Sequence, residues 1–349
     1  MGELPSATYC VTGANGYIGS WLVKSLLQRG YKVHATVRDS ARSDSLQSLG
    51  KPHEPRLRIF QADLLDEGSF DEAIDGCDGV FHVAAMMRFS TTEDGEDYVR
   101  SNIIEPAVQG TLNLLRSCLR SKKTVRRLVF TSSISTLTST DNEGKWRPLV
   151  DESSQTPLHL VWEKKASGWV YVLSKILTEE AAFRFARANG IDMISVISPT
   201  IAGPFLGSAV PSSIQVLLSP ITGDLELFKI LSAVNSRMGS VSLAHIEDIC
   251  NAHIFLMQKS EARGNYLCSA QSCKLSKLVE ILARVYPTTR ILGRLLMEEK
   301  EIGPIPCEIS SKKLKDLGFT FKFGVENIVR ETVASCLSHG FLPLRPPST

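Results

Sequence analysis

The chain has 349 residues, of which 43% are hydrophobic and 22% are charged, as in soluble proteins with a large core. Its 39 lysines and arginines nearly balance its 37 aspartates and glutamates, and the formal net charge of +2 argues against a nucleic-acid partner. No uninterrupted apolar run is long enough to span a membrane.

The eight cysteines are scattered, and none forms a CxxC pair or a Cys/His cluster with metal-ligand spacing. We therefore predict no metal site. Several cysteines lie within apolar runs, where a free thiol behaves as a small hydrophobic side chain, and this favours a reducing compartment. Because only a few residues precede the first predicted strand, we expect no secretory signal and a cytoplasmic location.

Short β-branched runs alternate with longer helical patterns through the first two-thirds of the chain. The predicted strands are, in order, "YCVTG", "YKVHATVR", "RLRIFQADL", "GVFHVAA", "RRLVFTSS" and "DMISVIS". The helices between them include one that ends at Gly30, one near Ser69–Asp75 and a long one from roughly Glu96 to Ser121. This alternation predicts right-handed βαβ units and an α/β fold of the Rossmann type, with a doubly wound parallel sheet.

The chain changes character after about Ser198, where Pro and Gly become frequent and the strand–helix rhythm loosens. We predict that residues 1–198 form a dinucleotide-binding domain with a return segment at about 240–260. Residues 199–349 are predicted to form mainly a smaller C-terminal substrate-binding lobe. Ligands of open α/β sheets bind at the carboxyl ends of the strands, in the crevice that such a lobe would cover.

The turn after the first strand, "VTGANGYIGSW", places Gly13, Gly16 and Gly19 at GxxGxxG spacing before a helix. The first glycine permits a tight turn, the second lets backbone approach a pyrophosphate, and the third allows helix and strand to pack closely. The helix N-terminus adds oriented N–H groups for the phosphates. We therefore predict that this turn binds a dinucleotide.

The end of the second strand distinguishes NADP from NAD. An Asp or Glu about 20 residues beyond the glycines binds the ribose when the cofactor is NAD. Here Arg38 lies nineteen residues after Gly19 and Arg42 follows, and guanidinium groups are good partners for a 2′-phosphate. We favour NADP(H), while Asp39 keeps NAD open as an alternative.

Two further strand ends are predicted to contact the cofactor. Asp63 and Leu64, which end the third strand, are placed to approach the adenine. Val83, Ala84 and Ala85 end the fourth strand, and these side chains are small enough to let the cofactor lie against the backbone.

Tyr171 and Lys175 lie four residues apart in "YVLSK" and therefore share one face of a predicted helix. An adjacent ammonium stabilises a tyrosine's phenolate, so that the phenol can exchange a proton nearer neutrality. The lysine could also reach the nicotinamide ribose hydroxyls. Ser132 and Ser133 end the fifth strand, where a hydroxyl can hydrogen-bond a substrate oxygen. The competing interpretation is a packing aromatic beside a solvated lysine.

The glycine turn, the strand-end serines and YxxxK together resemble the extended short-chain dehydrogenase/reductase family. The sequence is most similar to its plant dihydroflavonol reductase and anthocyanidin reductase branch, through segments such as "VTGANGYIGSWLVKSLLQRGY", "SPITGD" and "GSVSLAHIED". The resemblance implies that Ser133 is the catalytic serine, that Tyr171 is the proton donor and that Lys175 is its partner.

The remaining expected cofactor contacts lie in the glycine turn, at the end of the fifth strand and beyond the sixth strand. They are Asn15, Tyr17, Ile18, Thr131, Ser132, Ser198, Pro199 and Ser213. In an ungapped alignment Ser198 occupies the place of the family's nicotinamide-contacting proline, and Pro199 falls one residue later. Either residue is therefore a candidate for that contact.

Departures from the family pattern concern the substrate. Dihydroflavonol reductases carry an asparagine on the loop after the serine, whereas this chain has Thr138, as in the anthocyanidin reductase branch. Met86, Met87 and Arg88 replace a proline-containing segment of the family. Together with Phe205, these residues are the expected substrate contacts.

The resemblance implies an NADPH-dependent reductase that delivers hydride to a carbonyl of an aromatic, flavonoid- or phenylpropanoid-type small molecule. Reduction of a conjugated C=C, as in anthocyanidin reductase, is the alternative reaction. An epimerase with tightly bound NAD and a catalytically silent NADPH-binding regulatory protein are alternatives of other kinds. No heptad or edge feature predicts an oligomeric state.

Overall fold

A computed structural model describes residues 7–39, 41, 43–50, 55–86, 93, 95–141, 143–287 and 305–344. The described residues fold into two compact units. The first unit draws on the chain up to Ser132, on Val170–Val196 and on Cys250–Asn265. The second unit draws on Ser133–Trp169, on Ile197–Ile249 and on the chain from Tyr266 onward.

The strands of the described residues are numbered in chain order. They are β1 (Thr8–Val11), β2 (Lys32–Val37), β3 (Leu57–Gln61), β4 (Gly79–His82), β5 (Arg127–Ser133), β6 (Leu149–Val150), β7 (Met193–Ser198), β8 (Thr200–Ala202), β9 (Val241–His245), β10 (Gly264–Leu267), β11 (Gln271–Cys273) and β12 (Glu308–Ile309). The six strands predicted from the sequence are β1 to β5 and β7, and all six are confirmed.

The helices are numbered in the same way. They are α1 (Tyr17–Gln28), α2 (Asp44–Gly50), α3 (Asp71–Ile74), α4 (Glu96–Val99), α5 (Glu105–Arg120), α6 (Leu158–Lys164), α7 (Trp169–Asn189), α8 (Ser212–Thr222), α9 (Leu225–Met238), α10 (Ile246–Gln258), α11 (Leu275–Val285), α12 (Lys312–Asp316) and α13 (Val325–Ser338).

A seven-stranded sheet has the strand order β10-β7-β5-β4-β1-β2-β3. The pairs β2–β3, β1–β2, β1–β4 and β4–β5 are parallel, which confirms the predicted Rossmann-type α/β fold. The chain runs outward from β1 through β2 to β3 and then returns to place β4 on the other side of β1. This reversal is the point at which open α/β sheets bind their ligands.

The core of the first unit forms where the buried faces of strands and helices meet. Leu22, Val23, Leu26 and Leu27 of α1 are at most 1% exposed, and their spacing places them on one face of the helix. A second cluster packs Cys10, Val80 and Leu128 of neighbouring strands against Leu114 and Leu115 of α5. A fully buried leucine stabilises the fold by about 2 kcal/mol, so this packing holds the strand ends in place.

The long helix predicted from Glu96 to Ser121 is present but interrupted. A single π-helical stretch, Arg100–Ile104, separates α4 from α5. Pro106 lies in the first turn of α5. Proline has no backbone N–H to bond the carbonyl four residues earlier, and its ring crowds that carbonyl, which accounts for the altered turn directly before it.

The second unit contains two small sheets. In the first, β9 pairs antiparallel with β11 and parallel with β8. In the second, β12 pairs parallel with β6. A compact apolar cluster that includes Leu137, Ile197 and Leu267 supports the unit.

All eight cysteines are buried free thiols, and for several of them the position within an apolar run predicts this. Burial raises the pKa of the Cys77 and Cys118 thiols to about 12, so neither is a reactive thiolate at neutral pH. Within the described ranges, no helix has the length and apolar character needed to cross a membrane. The same ranges contain no group of three or more His, Cys, Asp or Glu side chains that could hold a metal ion.

Candidate active site

The glycine turn after β1 has the backbone geometry that its spacing predicts. Gly13 has a φ of +62°, and a Cβ there would lie 2.9 Å from the Cα of Ala84. The Gly16 N–H donates to the Gly13 carbonyl oxygen at 2.9 Å, and a Cβ on Gly19 would overlap that same oxygen. The turn therefore needs glycine at the first position for conformation and at the third for packing.

Helix α1 begins directly after this turn. Gly16 is its N-cap residue, no side chain caps the first turn, and that turn contains no acidic residue. Asn15 and Gly16 are exposed, whereas Tyr17 and Ile18 are half-buried. An uncapped helix start beside exposed glycine backbone is the arrangement that accepts a phosphate group.

A series of buried hydrogen bonds connects the end of β4 to this turn. The Thr12 Oγ1 accepts the N–H groups of Val83 and Ala84, each at 3.0 Å, and lies 3.0 Å from Nδ1 of His82. Because Oγ1 already accepts two hydrogen bonds, its own hydrogen goes to Nδ1. The Nε2 of His82 therefore carries the ring hydrogen and donates to the Thr111 hydroxyl at 3.3 Å. Burial and the nearby Lys175 charge lower the pKa of His82 to about 3, so the ring is neutral.

The predicted adenine and ribose contacts lie at the ends of β2 and β3. Arg38 and Asp39 are exposed, and the Asp39 carboxylate accepts the Ala41 N–H at 3.0 Å. The Asp63 carboxylate accepts the Leu65 N–H at 2.9 Å, and the Leu64 carbonyl accepts from Asn113 of α5. Arg42 lies outside the described residues.

Helix α7 carries the residues predicted to transfer a proton. Tyr171 is half-buried in the first turn of α7, and Lys175 is buried one turn further along. The Lys175 Nζ donates to the Thr131 carbonyl oxygen of β5 at 3.4 Å and lies 6.0 Å from the Tyr171 ring centre. Burial lowers the pKa of Lys175 to about 8, opposed by the negative charge of Glu179. Lys175 is therefore not the solvated lysine of the competing interpretation.

The last residues of β5 are held by buried polar partners. The Thr131 hydroxyl lies 2.9 Å from Nε2 of His253, and the Ser132 hydroxyl donates to the Glu179 carboxylate at 2.7 Å. Ser133 ends the strand, and its Oγ accepts the Ser135 N–H at 3.2 Å. That contact uses Ser133 as an acceptor, so its hydroxyl hydrogen is left to donate elsewhere.

Several predicted contacts belong to the second unit. Ser198 and Pro199 are buried, and among the described residues no partner hydrogen-bonds the Ser198 hydroxyl. The Ser213 hydroxyl donates to the Ile201 carbonyl at 2.7 Å. A buried hydroxyl without a partner is uncommon, so Ser198 suits a polar group of a bound molecule.

The structure describes three of the five predicted substrate contacts, Met86, Thr138 and Phe205. Met86 is half-buried, and Met87 and Arg88 lie outside the described residues. Thr138 is buried, with its hydroxyl 3.3 Å from that of Thr140. Phe205 is buried, and its ring centre lies 4.2 Å from that of His339.

Sequence reasoning missed the buried partners of the strand ends, chiefly Glu179, His253 and Thr12. Glu179 had an available signal, because it lies four residues after Lys175 and eight after Tyr171 on one helical face. Thr12 and His253 had none, since their partners lie 70 to 122 residues away in the chain.

The comparison with protein families agrees with this geometry. The NAD dependent epimerase/dehydratase family model matches residues 9–268, which span the glycine turn, the end of β5 and helix α7. The chain belongs to this family. The predicted resemblance to extended short-chain dehydrogenases/reductases is thereby confirmed.

Several plant reductases are similar to this chain over nearly its whole length. A dihydroflavonol 4-reductase of Arabidopsis thaliana is 40% identical over 97% of this chain and 84% of the relative. A putative anthocyanidin reductase of Ginkgo biloba is 39% identical over 97% of this chain and 96% of the relative. The crystal structure of vestitone reductase from alfalfa, Medicago sativa, has a TM-score of 0.78 and 33% identity, and the match covers 97% of this chain and all of that one.

Proposed function

We propose that the protein is an NADPH-dependent reductase that converts a carbonyl of a flavonoid-type aromatic molecule to an alcohol. The proposal rests mainly on the burial of Lys175, which lies one turn from Tyr171 on α7 and donates a hydrogen bond to the end of β5. The 40% identity with a dihydroflavonol 4-reductase over nearly the whole chain supports the substrate class.

The residues around the glycine turn suit a nicotinamide dinucleotide. The turn excludes any Cβ at Gly13 and Gly19, and the first turn of α1 has no side-chain cap. Bound there, the cofactor would supply the hydride. The Gly16 backbone and the α1 N-terminus would hold the pyrophosphate, and Arg38 would bind a 2′-phosphate. Lys175 would bind the ribose hydroxyls, and the Ser198 hydroxyl would bind the carboxamide.

The protein's own groups would handle the substrate oxygen. Tyr171 would give its phenolic proton to the oxyanion that develops as the carbonyl is reduced, and Ser133 would donate a hydrogen bond to the same oxygen. The Lys175 ammonium would stabilise the phenolate that remains. Such donors favour the transition state because the charge they stabilise is absent from the bound substrate.

The glycines allow a paired test of the dinucleotide site. We expect Gly19→Ala to destabilise the fold, because its Cβ would overlap the Gly13 carbonyl oxygen. Gly16→Ala is expected to fold, because the Gly16 φ of −76° suits any residue and the Gly13 carbonyl oxygen, 3.1 Å from the added Cβ, has to move only slightly. The added methyl is expected to weaken NADPH binding about tenfold by obstructing the pyrophosphate. Thermal unfolding and fluorescence titration with NADPH measure the two effects. Equal NADPH affinity in wild type and Gly16→Ala would place the cofactor elsewhere.

Arg38→Ala tests the choice of cofactor. Loss of a charge-assisted contact to the 2′-phosphate is expected to raise the Kd for NADPH about ten- to a hundredfold. The Kd for NADH should stay within about twofold, because NADH lacks that phosphate. Lys32→Ala, an exposed change at the opposite end of β2, is the control. If the Arg38 variant weakens both cofactors equally, the preference for NADPH resides in other residues.

Reduction of a conjugated C=C is the second candidate reaction. It is supported by the 39% identity with a putative anthocyanidin reductase and by Thr138, a position at which the sequence resembles the anthocyanidin reductase branch. The same Tyr171 and Lys175 would serve that reaction as proton donor and partner.

Purified protein with NADPH and a panel of a dihydroflavonol, a flavanone and an anthocyanidin tests the proposal. We expect NADPH consumption with the carbonyl-bearing dihydroflavonol or flavanone and an alcohol as the product. Consumption only with the anthocyanidin would favour C=C reduction. Binding of NADPH without turnover of any panel member would favour the regulatory alternative.

A further inference from the structure

Glu179 is a buried carboxylate that the proposed reaction does not use. It lies on α7, and 8% of its surface is exposed. Its neighbour Glu180 is exposed, so the buried position belongs to the face of α7 that also carries Tyr171 and Lys175. Burying a carboxylate costs several kcal/mol unless polar groups and a cation compensate, so its retention calls for a specific reason.

The two oxygens of Glu179 bridge neighbouring strands of the sheet. Oε2 accepts from the Ser132 hydroxyl of β5 at 2.7 Å, and Oε1 accepts from the Ser195 hydroxyl of β7 at 2.5 Å. Both distances lie in the range of charge-assisted O–H···O⁻ bonds. Burial raises the pKa of Glu179, and the Ser132 and Ser195 hydroxyls and the Lys175 ammonium oppose that effect and favour the ionised carboxylate. Ser132 directly precedes Ser133, so this bridge fixes the strand end from which Ser133 projects.

Glu179 is also the acidic group that acts on Lys175. The two lie one turn apart on α7, and the negative charge of Glu179 raises the pKa of Lys175 against the effect of burial. Among the residues that the structure describes, the other titratable groups near this lysine are Tyr171 on α7, His82 on β4, and His253, which approaches through Thr131. The neutral His82 ring gives Lys175 no compensating charge, and it is the carboxylate of Glu179 that favours the ammonium form of Lys175.

We infer that Glu179 is a positioning residue: its carboxylate keeps the Lys175 ammonium charged and locks the end of β5 through Ser132. This role rests on the proposed reductase function, in which that ammonium supports Tyr171. Glu179 does not contact substrate or cofactor in this role, and acts through Lys175 and Ser132 alone.

The test compares Glu179→Gln with Glu179→Asp and with the control Glu180→Gln. Glutamine keeps the shape and removes the charge, so the pKa of Lys175 should fall below its wild-type value of about 8. The alkaline limb of the kcat–pH profile should therefore move to lower pH by about one unit. Aspartate keeps the charge and should restore the limb, and Glu180→Gln, an exposed change one residue further on, should leave it in place.

A second measurement needs neither substrate nor cofactor. As Lys175 loses its proton in the folded protein, stability begins to rise with pH, and in Glu179→Gln this rise should begin about one unit lower than in wild type. Thermal unfolding from pH 7 upward records it. If Glu179→Gln fails to fold, Ser195→Ala serves instead, because it removes one of the two hydroxyls that favour the ionised carboxylate. It should shift the alkaline limb and the pH at which stability begins to rise in the same direction as Glu179→Gln, by a smaller amount.

The outcomes separate this inference from the proposed function. The inference would be overturned if Glu179→Gln left both the alkaline limb of the kcat–pH profile and the pH at which stability begins to rise unchanged. Activity would then be lowered equally at every pH and not restored by aspartate, and Glu179 would have only a structural role. The proposed function would survive that result. A wild type that turns over no substrate would overturn the function, while a shifted stability onset would still establish the charge link between Glu179 and Lys175.

Discussion

Tyr171→Phe is expected to lower kcat for NADPH-dependent reduction by about a hundred- to ten-thousandfold, the range by which a positioned proton donor accelerates a reaction. Phenylalanine keeps the ring but cannot protonate the developing oxyanion. Because Tyr171 is only half-buried, thermal stability and the Kd for NADPH should stay close to wild type. Steady-state kinetics with the best substrate of the panel, together with NADPH titration, provides the measurement.

Tyr31→Phe is the matched control. Tyr31 is also half-buried, and its hydroxyl accepts from Gln258 at 2.6 Å at the other end of the sheet. Removing this hydroxyl should leave kcat unchanged. A Tyr171→Phe variant that retained the wild-type rate would show that another group protonates the product, and the proton-transfer role of α7 would then be wrong.

Lys175→Met is expected to abolish most turnover and yet to stabilise the protein at pH 7. The pKa of Lys175 is lowered from 10.5 to about 8 because burial disfavours the ammonium. Each pKa unit corresponds to about 1.4 kcal/mol, so holding the ammonium in the folded state costs about 3 kcal/mol below pH 8. Methionine fills a similar volume without this cost.

The pH dependence gives the sign of the effect. Between about pH 8 and 10.5 the unfolded chain binds more protons at this site than the folded one, so wild-type stability rises with pH. The advantage of Lys175→Met in the free energy of unfolding should therefore shrink by about 3 kcal/mol across that window. Denaturant unfolding at a series of pH values measures it. A methionine variant that is less stable than wild type by the same amount at every pH would make Lys175 a structural residue.

The parts of the site that follow from local spacing were predictable. The turn with Gly13, Gly16 and Gly19 could be predicted because the positive φ and the close helix–strand contact that require glycine arise within a few residues of the chain. The pairing of Tyr171 and Lys175 could be predicted because residues four apart in a helix lie on the same face. The parallel, doubly wound sheet also followed from the alternation of strands and helices.

The parts that depend on distant packing were not predictable. The spacing from Lys175 places Glu179 on the helical face of Tyr171, but its bonds to Ser132 and Ser195 arise only when α7 packs on β5 and β7. The Thr12–His82–Thr111 chain joins residues 29 to 70 positions apart, and the sequence contains no periodicity that connects them. The π-helical turn before Pro106 differs, because the proline that accounts for it is a local signal in the sequence.

The most direct measurement follows the hydride itself. NADPH carrying deuterium at the transferable position of the nicotinamide would be incubated with wild-type protein and a dihydroflavonol, and the label located in the product by NMR. We expect deuterium on the carbon that bore the carbonyl, now an alcohol, with the same product formed far more slowly by Tyr171→Phe. Deuterium found instead on a former C=C carbon of an anthocyanidin substrate, with the dihydroflavonol untouched, would contradict it.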